Sequence, residues 1–142
     1  MLEKLMRHTG RILAEHQVAY LFKVPEEYAT TPCDFFGYTR TGRAILIECK
    51  EVARSALPIG AAPGLAVHQW NALSDAGRAN CIALICWLHK GVLATIDIDM
   101  ARELSRGRRS IPWGKIEKKF LHPDPKPSRC LEFLEPFVRA GC

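Results

Sequence analysis

The amino-acid sequence predicts an α/β domain with a mixed central β-sheet flanked by α-helices. Segments with a helical period alternate along the chain with short segments rich in β-branched and aromatic residues, and glycine or proline often separates them. The 142 residues are enough to bury a core, and we expect one domain over residues 1–142.

The first elements are predicted to be a helix, a strand and a β-hairpin. Residues 2–16 place apolar side chains at a helical period between charged ones. Residues 17–24 are β-branched and aromatic and stop at a proline, which predicts a strand. Two further strands, 33–39 and 42–51, are joined by a turn at Arg40–Gly42, so they form a hairpin.

The second half is predicted to alternate in the same way. Its first segment is rich in proline and glycine and has no packing pattern, whereas "NCIALICWL" is apolar throughout and indicates a buried strand. The predicted elements are a loop at 55–64, a helix at Leu65–Ala76 ended by Gly77, paired strands at 80–88 and 91–99, a short helix at 100–106 and a terminal apolar element at 130–138.

Basic residues are concentrated near the C-terminus. The chain carries a formal net charge of +5, and residues 101–129 hold nine Lys or Arg against three acids. Such a basic, proline-containing segment either is a solvated surface or binds an anionic polymer such as DNA or RNA. We therefore treat the segment from about residue 101 as a candidate nucleic-acid contact.

Several classes of protein are disfavoured by the sequence. No apolar run approaches the roughly 20 residues of a membrane helix, and the N-terminus has no signal-peptide core, so we expect a cytoplasmic protein with no membrane partner. The host would be a bacterial, archaeal or phage-infected cell. The six cysteines show no metal-binding spacing, which predicts free thiols.

A candidate catalytic site follows from the predicted hairpin. Glu48 and Lys50 share one face of their strand, and the turn brings Asp34 opposite Glu48. Two adjacent carboxylates repel unless a cation lies between them, and their hard oxygens suit Mg²⁺ or Mn²⁺. The lysine can orient a water or neutralise phosphate charge. These groups suit phosphodiester hydrolysis; the competing interpretation of Glu48 and Lys50 is an exposed ion pair of little energetic value.

The order of these residues resembles a known family. Pro32-x-Asp34 followed by Glu48-x-Lys50 on the next strand resembles the signature of the PD-(D/E)XK nuclease superfamily. The chain is most similar to RecU-type Holliday-junction resolvases, in which an "HQ" pair opens a helix after a proline-containing loop, as His68–Gln69 does here.

The RecU-type resemblance extends over most of the chain. "GRRSIPW" at 107–113 is similar to a basic stretch of that family, and the resemblance covers roughly Gln17 to Trp113. One departure is the stalk that RecU-type enzymes insert before the motif aspartate. Only eight residues separate Pro25 from Asp34, so the stalk would be short or absent.

The resemblance implies a restriction-endonuclease-like core and a Mg²⁺-dependent endonuclease that cuts four-way DNA junctions, with Mn²⁺ able to substitute and no nucleotide cofactor. It makes Asp34, Glu48 and the backbone carbonyl of Cys49 metal ligands and Lys50 the catalytic lysine, and it places Gln69 near the active site. The residues expected to contact DNA are Arg40, Arg43, His68, Arg106, Arg108, Arg109 and Lys115.

The remaining expectations concern the first helix and the oligomer. A further acid of the metal site would come from the first helix, where Glu3 is preferred over Glu15. Two nicks on strands related by a two-fold axis favour a homodimer, for which the aromatic residues Trp70, Trp87 and Trp113 are candidate anchors.

Three other interpretations remain open at the level of sequence. The same layout of motifs resembles VRR-type nuclease domains, which act on branched or flapped DNA. A DNA-binding module that has kept the fold but lost catalysis is a second possibility, although the complete set of Asp34, Glu48 and Lys50 argues against it. The third is an unrelated α/β protein in which the Glu-x-Lys pair is fortuitous.

Overall fold

A six-stranded mixed sheet lies at the centre of the computed structural model, which describes residues 1–25, 31 and 33–139. Three single turns of 3₁₀ helix lie at Trp113–Lys115, Lys118–Phe120 and Pro127–Arg129. The helices and strands are α1 (Leu2–Glu15), β1 (Ala19–Lys23), β2 (Phe35–Thr39), β3 (Ala44–Glu51), β4 (Ala56–Pro58), α2 (Val67–Arg78), β5 (Ile82–His89), β6 (Val92–Asp97), α3 (Ile98–Leu104), β7 (Ser110–Pro112), β8 (Leu121–Pro123), α4 (Cys130–Phe133) and α5 (Glu135–Arg139).

The sheet has the strand order β1-β2-β3-β5-β6-β8. All neighbours are antiparallel except β3 and β5, which run parallel and are connected through α2. A parallel pair needs such a crossover, because a two-residue turn can only join antiparallel strands. The mixed sheet flanked by helices confirms the predicted fold class.

The hairpin of β2 and β3 has the predicted register. Phe35 pairs with Ile47, and the turn is closed by a hydrogen bond from the Thr39 amide to the Arg43 carbonyl. Gly42 adopts a φ of 87°, which glycine accepts without steric cost. The turn at Arg40–Gly42 is therefore confirmed.

Each face of the sheet packs against a different helix. On one face, Leu2, Met6 and Leu13 of α1 are buried with Ile45 and Ile47 of β3. The opposite face belongs to α2, whose buried Leu73 lies in a cluster with Ile85 and Trp87 of β5. Because successive strand residues alternate between faces, Glu48 and Lys50 lie on the face of α2.

The central helix differs slightly from its prediction. It spans Val67–Arg78 and therefore includes Gly77, which was expected to end it. A Cβ atom at Gly77 would lie 2.7 Å from Cγ2 of Ile98 in α3. Close packing between the two helices explains this glycine, so its presence does not mark a helix end.

The predicted loop at 55–64 contains a strand. Residues Ala56–Pro58 form a two-stranded sheet with Ser110–Pro112, and Leu57 and Ile111 are fully buried in it. Three residues are too few to show a period, and their partner lies about fifty residues away in the chain. The prediction of a segment without packing was wrong for this reason.

The cysteines and the helix lengths bear on two further expectations. Within the described part of the chain, Cys33, Cys49, Cys81 and Cys86 are free thiols, as predicted. None of the helices in that part is both long and apolar enough to cross a membrane.

Candidate active site

Four of the predicted site residues meet where β3 ends. Asp34 precedes β2, and its Oδ2 accepts a hydrogen bond of 2.8 Å from the Cys49 amide. The amide of Asp34 in turn donates to the carbonyl of Ile47, the partner of Phe35, which holds Asp34 at the end of the hairpin next to Glu48. Pro32 of the motif lies outside the described residues.

Glu48 and Lys50 do not form an exposed ion pair. The Nζ of Lys50 lies 3.1 Å from the Oε1 of Glu48, and only 1% of Glu48 is exposed to solvent. Burying a charge costs free energy unless it has partners, so an exposed pair of little value is excluded as the interpretation.

Gln69 joins the start of α2 to the carboxylate. It is the third residue of the helix, and its side-chain Oε1 accepts a hydrogen bond of 3.0 Å from the Ala66 amide. The Nε2 of the same side chain donates to the Oε1 of Glu48 at 2.8 Å. The helix start therefore fixes the position of Glu48.

One oxygen of Glu48 is left without a hydrogen bond. Oε1 accepts from both Lys50 and Gln69, whereas the buried Oε2 has no hydrogen-bond partner among the described residues. Burial, and then the charge of Asp34, raise the pKa of Glu48 to about 7, although the Lys50 ammonium lowers it. A cation beside Oε2 would relieve both the burial cost and the repulsion from Asp34.

The donor set fits a hard divalent cation. In the described ranges, no group of three or more His, Cys, Asp or Glu side chains is placed to hold a metal ion. Mg²⁺ is commonly held by one or two carboxylates together with water and substrate phosphate oxygens. The pair Asp34 and Glu48, with the orphaned Oε2, meets that description.

The other acidic residues of α1 and β3 differ in how they are placed relative to the carboxylate pair of Asp34 and Glu48. Glu3 lines a small cleft of about 170 Å³ together with Asp34, but its Oε1 accepts a hydrogen bond of 3.0 Å from Arg7. Glu15 is the last residue of α1, at the other end of the helix. Glu51 accepts a hydrogen bond from the Leu2 amide at 2.5 Å, so it supports the first turn of α1.

Sequence reasoning missed a second lysine at the site. The Nζ of Lys23 lies 3.8 Å from the Oδ1 of Asp34, and its side chain is largely buried. Lys23 ends β1 and pairs with Phe35, the residue that follows Asp34. The register of β1 against β2 is what places Lys23 beside Asp34, and the sequence alone did not provide that register.

Two of the predicted DNA-contact residues lie far from the carboxylates. Arg40 is exposed in the turn before β3, at the opposite end of that strand from Glu48. Arg43 lies at the same turn, and its Nε donates a hydrogen bond of 2.7 Å to the Asn80 carbonyl. His68, by contrast, is exposed directly beside Gln69 at the start of α2.

The basic residues of the C-terminal segment are exposed. Arg106 pairs with Glu103 at 2.7 Å, and Arg108 and Lys115 lie on the surface. Arg109 lines a groove of about 760 Å³ together with Arg54, because β7 pairs with β4. Arg54 was absent from the predicted set, since nothing in the sequence joined residues 54 and 109.

The predicted dimer anchors are not exposed tryptophans. Trp87 is fully buried, and its Nε1 donates a hydrogen bond of 2.9 Å to the Val52 carbonyl. Trp70 and Trp113 are partly buried against the same core. The expectation was wrong for Trp87, because the sequence does not distinguish a core indole from an interface indole.

Comparison with known proteins supports the fold. Neither a protein-family model nor a curated protein sequence matches the chain. Solved structures do match the chain. The fold is of the restriction-endonuclease-like class of α/β proteins. One of them is Hjc of Archaeoglobus fulgidus, a Holliday junction resolvase from an archaeal hyperthermophile. The TM-score is 0.51 with 15% sequence identity, over 75% of this chain and 83% of that chain.

The pKa of Glu48 predicts an unusual dependence of stability on pH. Without metal, the folded protein holds the Glu48 proton up to about pH 7, whereas an ordinary carboxyl releases it near 4.5. The free energy of unfolding should therefore fall by about 3 kcal/mol as pH rises through this window. Urea unfolding in EDTA at several pH values measures it.

Glu48→Gln provides the comparison for this measurement. The neutral amide cannot titrate, so the variant should lose this fall in stability while other pH effects persist. Parallel curves for the two proteins between pH 4.5 and 7 would contradict the assignment.

Proposed function

We propose that the protein is a metal-dependent, structure-selective DNA endonuclease that resolves four-way junctions by phosphodiester hydrolysis. The observation that carries this proposal is the buried Glu48 with its unpaired Oε2, opposite Asp34 and beside Lys50. The fold adds support, since it resembles that of an archaeal resolvase, and so does the basic surface of the C-terminal segment. A more specific proposal, that the activity is of the RecU type, rests on the sequence motifs alone.

The roles of the residues follow from their contacts. A bound Mg²⁺ or Mn²⁺ would supply a Lewis acid for a phosphate oxygen and lower the pKa of a water molecule. Asp34, Glu48 and the Cys49 carbonyl would hold it. Gln69 keeps Oε1 of Glu48 occupied, which would leave Oε2 to hold the cation.

Lys50 has the electrostatic role. Its ammonium lies next to Glu48 and is 19% exposed, so it is shielded from bulk water yet accessible to a substrate. There it neutralises negative charge that develops on the phosphate in the transition state, in a site where charge interactions are stronger than in water. Glu3 is the weakest member of the proposed site, because Arg7 already binds it.

DNA contacts would extend on both sides of the carboxylates. His68 is adjacent to the site, and the exposed arginines of the C-terminal segment are suited to phosphate oxygens. One active site per chain makes one nick, so a homodimer would match the two-fold symmetry of a four-way junction.

The test is cleavage of a synthetic four-way junction, compared with a linear duplex of the same sequence, with Mg²⁺ and with EDTA. We expect paired nicks in the junction that require the metal, and little cleavage of the duplex. Light scattering on the same samples should give twice the 15.9 kDa chain mass. Equal cleavage of both substrates would indicate a general nuclease without selectivity for junctions. Absence of cleavage in Mg²⁺, and also when Mn²⁺ replaces it, would refute the proposal.

A further inference from the structure

The two outermost strands at one edge of the sheet, β1 and β2, carry exposed aromatic rings on one face. Phe22 of β1 is 56% exposed, Phe36 of β2 is 48% exposed and Tyr38 of β2 is 44% exposed. Tyr20 is partly exposed beside them, with its ring centroid 5.2 Å from that of Tyr38. The ring of Phe22 lies 6.3 Å from Tyr38 on the other side. We call Tyr20, Phe22, Phe36 and Tyr38 the aromatic platform.

The aromatic platform is continuous with the candidate active site. Phe36 and Tyr38 project from one face of β2, and Asp34 directly precedes that strand. Each step of two residues is about 7 Å along the strand. This is also the face of Glu48 and Lys50, since Phe36 pairs with Leu46 of β3. A nucleotide strand held at the carboxylates would therefore reach the rings with its next nucleotides.

The charges around the platform suit a nucleic acid. Within residues 19–25 and 33–43, the basic side chains are Lys23, Arg40 and Arg43, and Asp34 is the only acid. Arg40 lies two residues beyond Tyr38, in the turn that follows β2, and its side chain is exposed there.

The space beside the rings has room for a base. A groove of about 490 Å³ is lined by Phe22, Phe36 and Leu46, and it continues to Cys33, the neighbour of Asp34. Its lining is almost entirely apolar, with Lys23 the exception. Every base has an apolar face that stacks on an aromatic side chain, so such a groove accepts bases without sequence preference.

A second copy of the chain fits this face less well. The three most exposed rings offer about half of roughly 200 Å² each, or about 300 Å² together. A stable protein interface buries about 800 Å² per partner. The basic side chains at its margins would also face their own copies in many two-fold arrangements.

We infer that the aromatic platform stacks the unpaired bases next to the cleaved phosphodiester. The inference rests on the proposed nuclease function and extends its substrate class from the four-way junction to branched DNA with unpaired bases beside the branch, such as a flapped or gapped junction. A fully paired substrate holds its bases in the duplex stack and cannot use the rings.

The test compares leucine and tryptophan at the same positions. Phe36→Leu and Tyr38→Leu remain apolar but lose the ring, whereas Phe36→Trp enlarges it. Binding of a fluorescent oligo-dT and of a matched duplex is measured in EDTA. We expect each leucine variant to bind oligo-dT about tenfold more weakly or worse, since a stacked base is worth that much. Phe36→Trp should bind at least as tightly as wild type, and duplex binding should not change.

Two outcomes would contradict the role proposed for the aromatic platform. Unchanged oligo-dT binding in both leucine variants would overturn the inference. So would a change of oligomeric mass in light scattering at unchanged oligo-dT binding, which would assign the face to a second copy. Wild-type cleavage in Mg²⁺ is scored separately: its absence refutes the proposed function, while the binding series in EDTA decides the platform by itself.

Discussion

Cleavage by Glu48→Gln is expected to be slower than wild type by about a thousandfold or more. A bound metal stabilises the transition state by several kcal/mol, and each 1.4 kcal/mol is a factor of ten. The amide keeps the size of the side chain but supplies a poorer ligand at the buried Oε2 position. Asp34→Asn should have an effect of the same order, and single-turnover cleavage of a branched substrate in Mg²⁺ measures both.

Two further measurements make this result specific. Binding of DNA in EDTA should be unchanged or tighter in both variants, because a negative charge near the phosphates has been removed. Glu51→Gln is the matched control, since Glu51 is on the same strand but bonds to the Leu2 amide, and an amide oxygen still accepts that bond. Wild-type cleavage rates in Glu48→Gln would show that the site has been assigned wrongly.

Lys50→Met is expected to reduce the rate of cleavage by about a hundredfold to a thousandfold while metal affinity stays close to that of wild type. Loss of a single group that stabilises transition-state charge has an effect of this size. The methionine stem fills the space of the lysine stem, and Gln69 still holds Glu48 through its own hydrogen bond. Calorimetric titration with Mg²⁺ or Mn²⁺ separates metal binding from the chemical step.

Lys4→Met provides the control for Lys50, because Lys4 is exposed on α1 and takes no part in the proposed chemistry. It should cleave at the wild-type rate. If Lys50→Met lost affinity for the metal in proportion to its rate, the ammonium would be acting through Glu48 and would have no separate role.

The carboxylate pair could be predicted because it depends on local information. The turn at Arg40–Gly42 fixes the hairpin register, and in an antiparallel pair that register determines which residues are opposite one another. Asp34 and Glu48 therefore meet through a segment of fewer than twenty residues. The position of Gln69 came from resemblance to a family, since its contact with Glu48 depends on how α2 crosses the sheet.

Other features depended on contacts between distant parts of the chain. Leu57 is buried only because β4 pairs with β7, and three-residue strands carry no period that predicts this. Trp87 is buried because β5 lies in the middle of the sheet, beside β3. The exposure of Phe22 and Phe36 could not be read from alternation either, since a strand covered on both faces can have the same composition.

The two hydrogen bonds of Gln69 restrict what evolution can place at that position. The side chain accepts from the Ala66 amide with one end and donates to Glu48 with the other. Glutamate would present a second negative charge to Glu48, lysine and arginine have no acceptor for the helix amide, and asparagine is shorter by one methylene. Each of these four replacements therefore removes or strains at least one bond, so the start of α2 and the Glu48 carboxylate are coupled at this position.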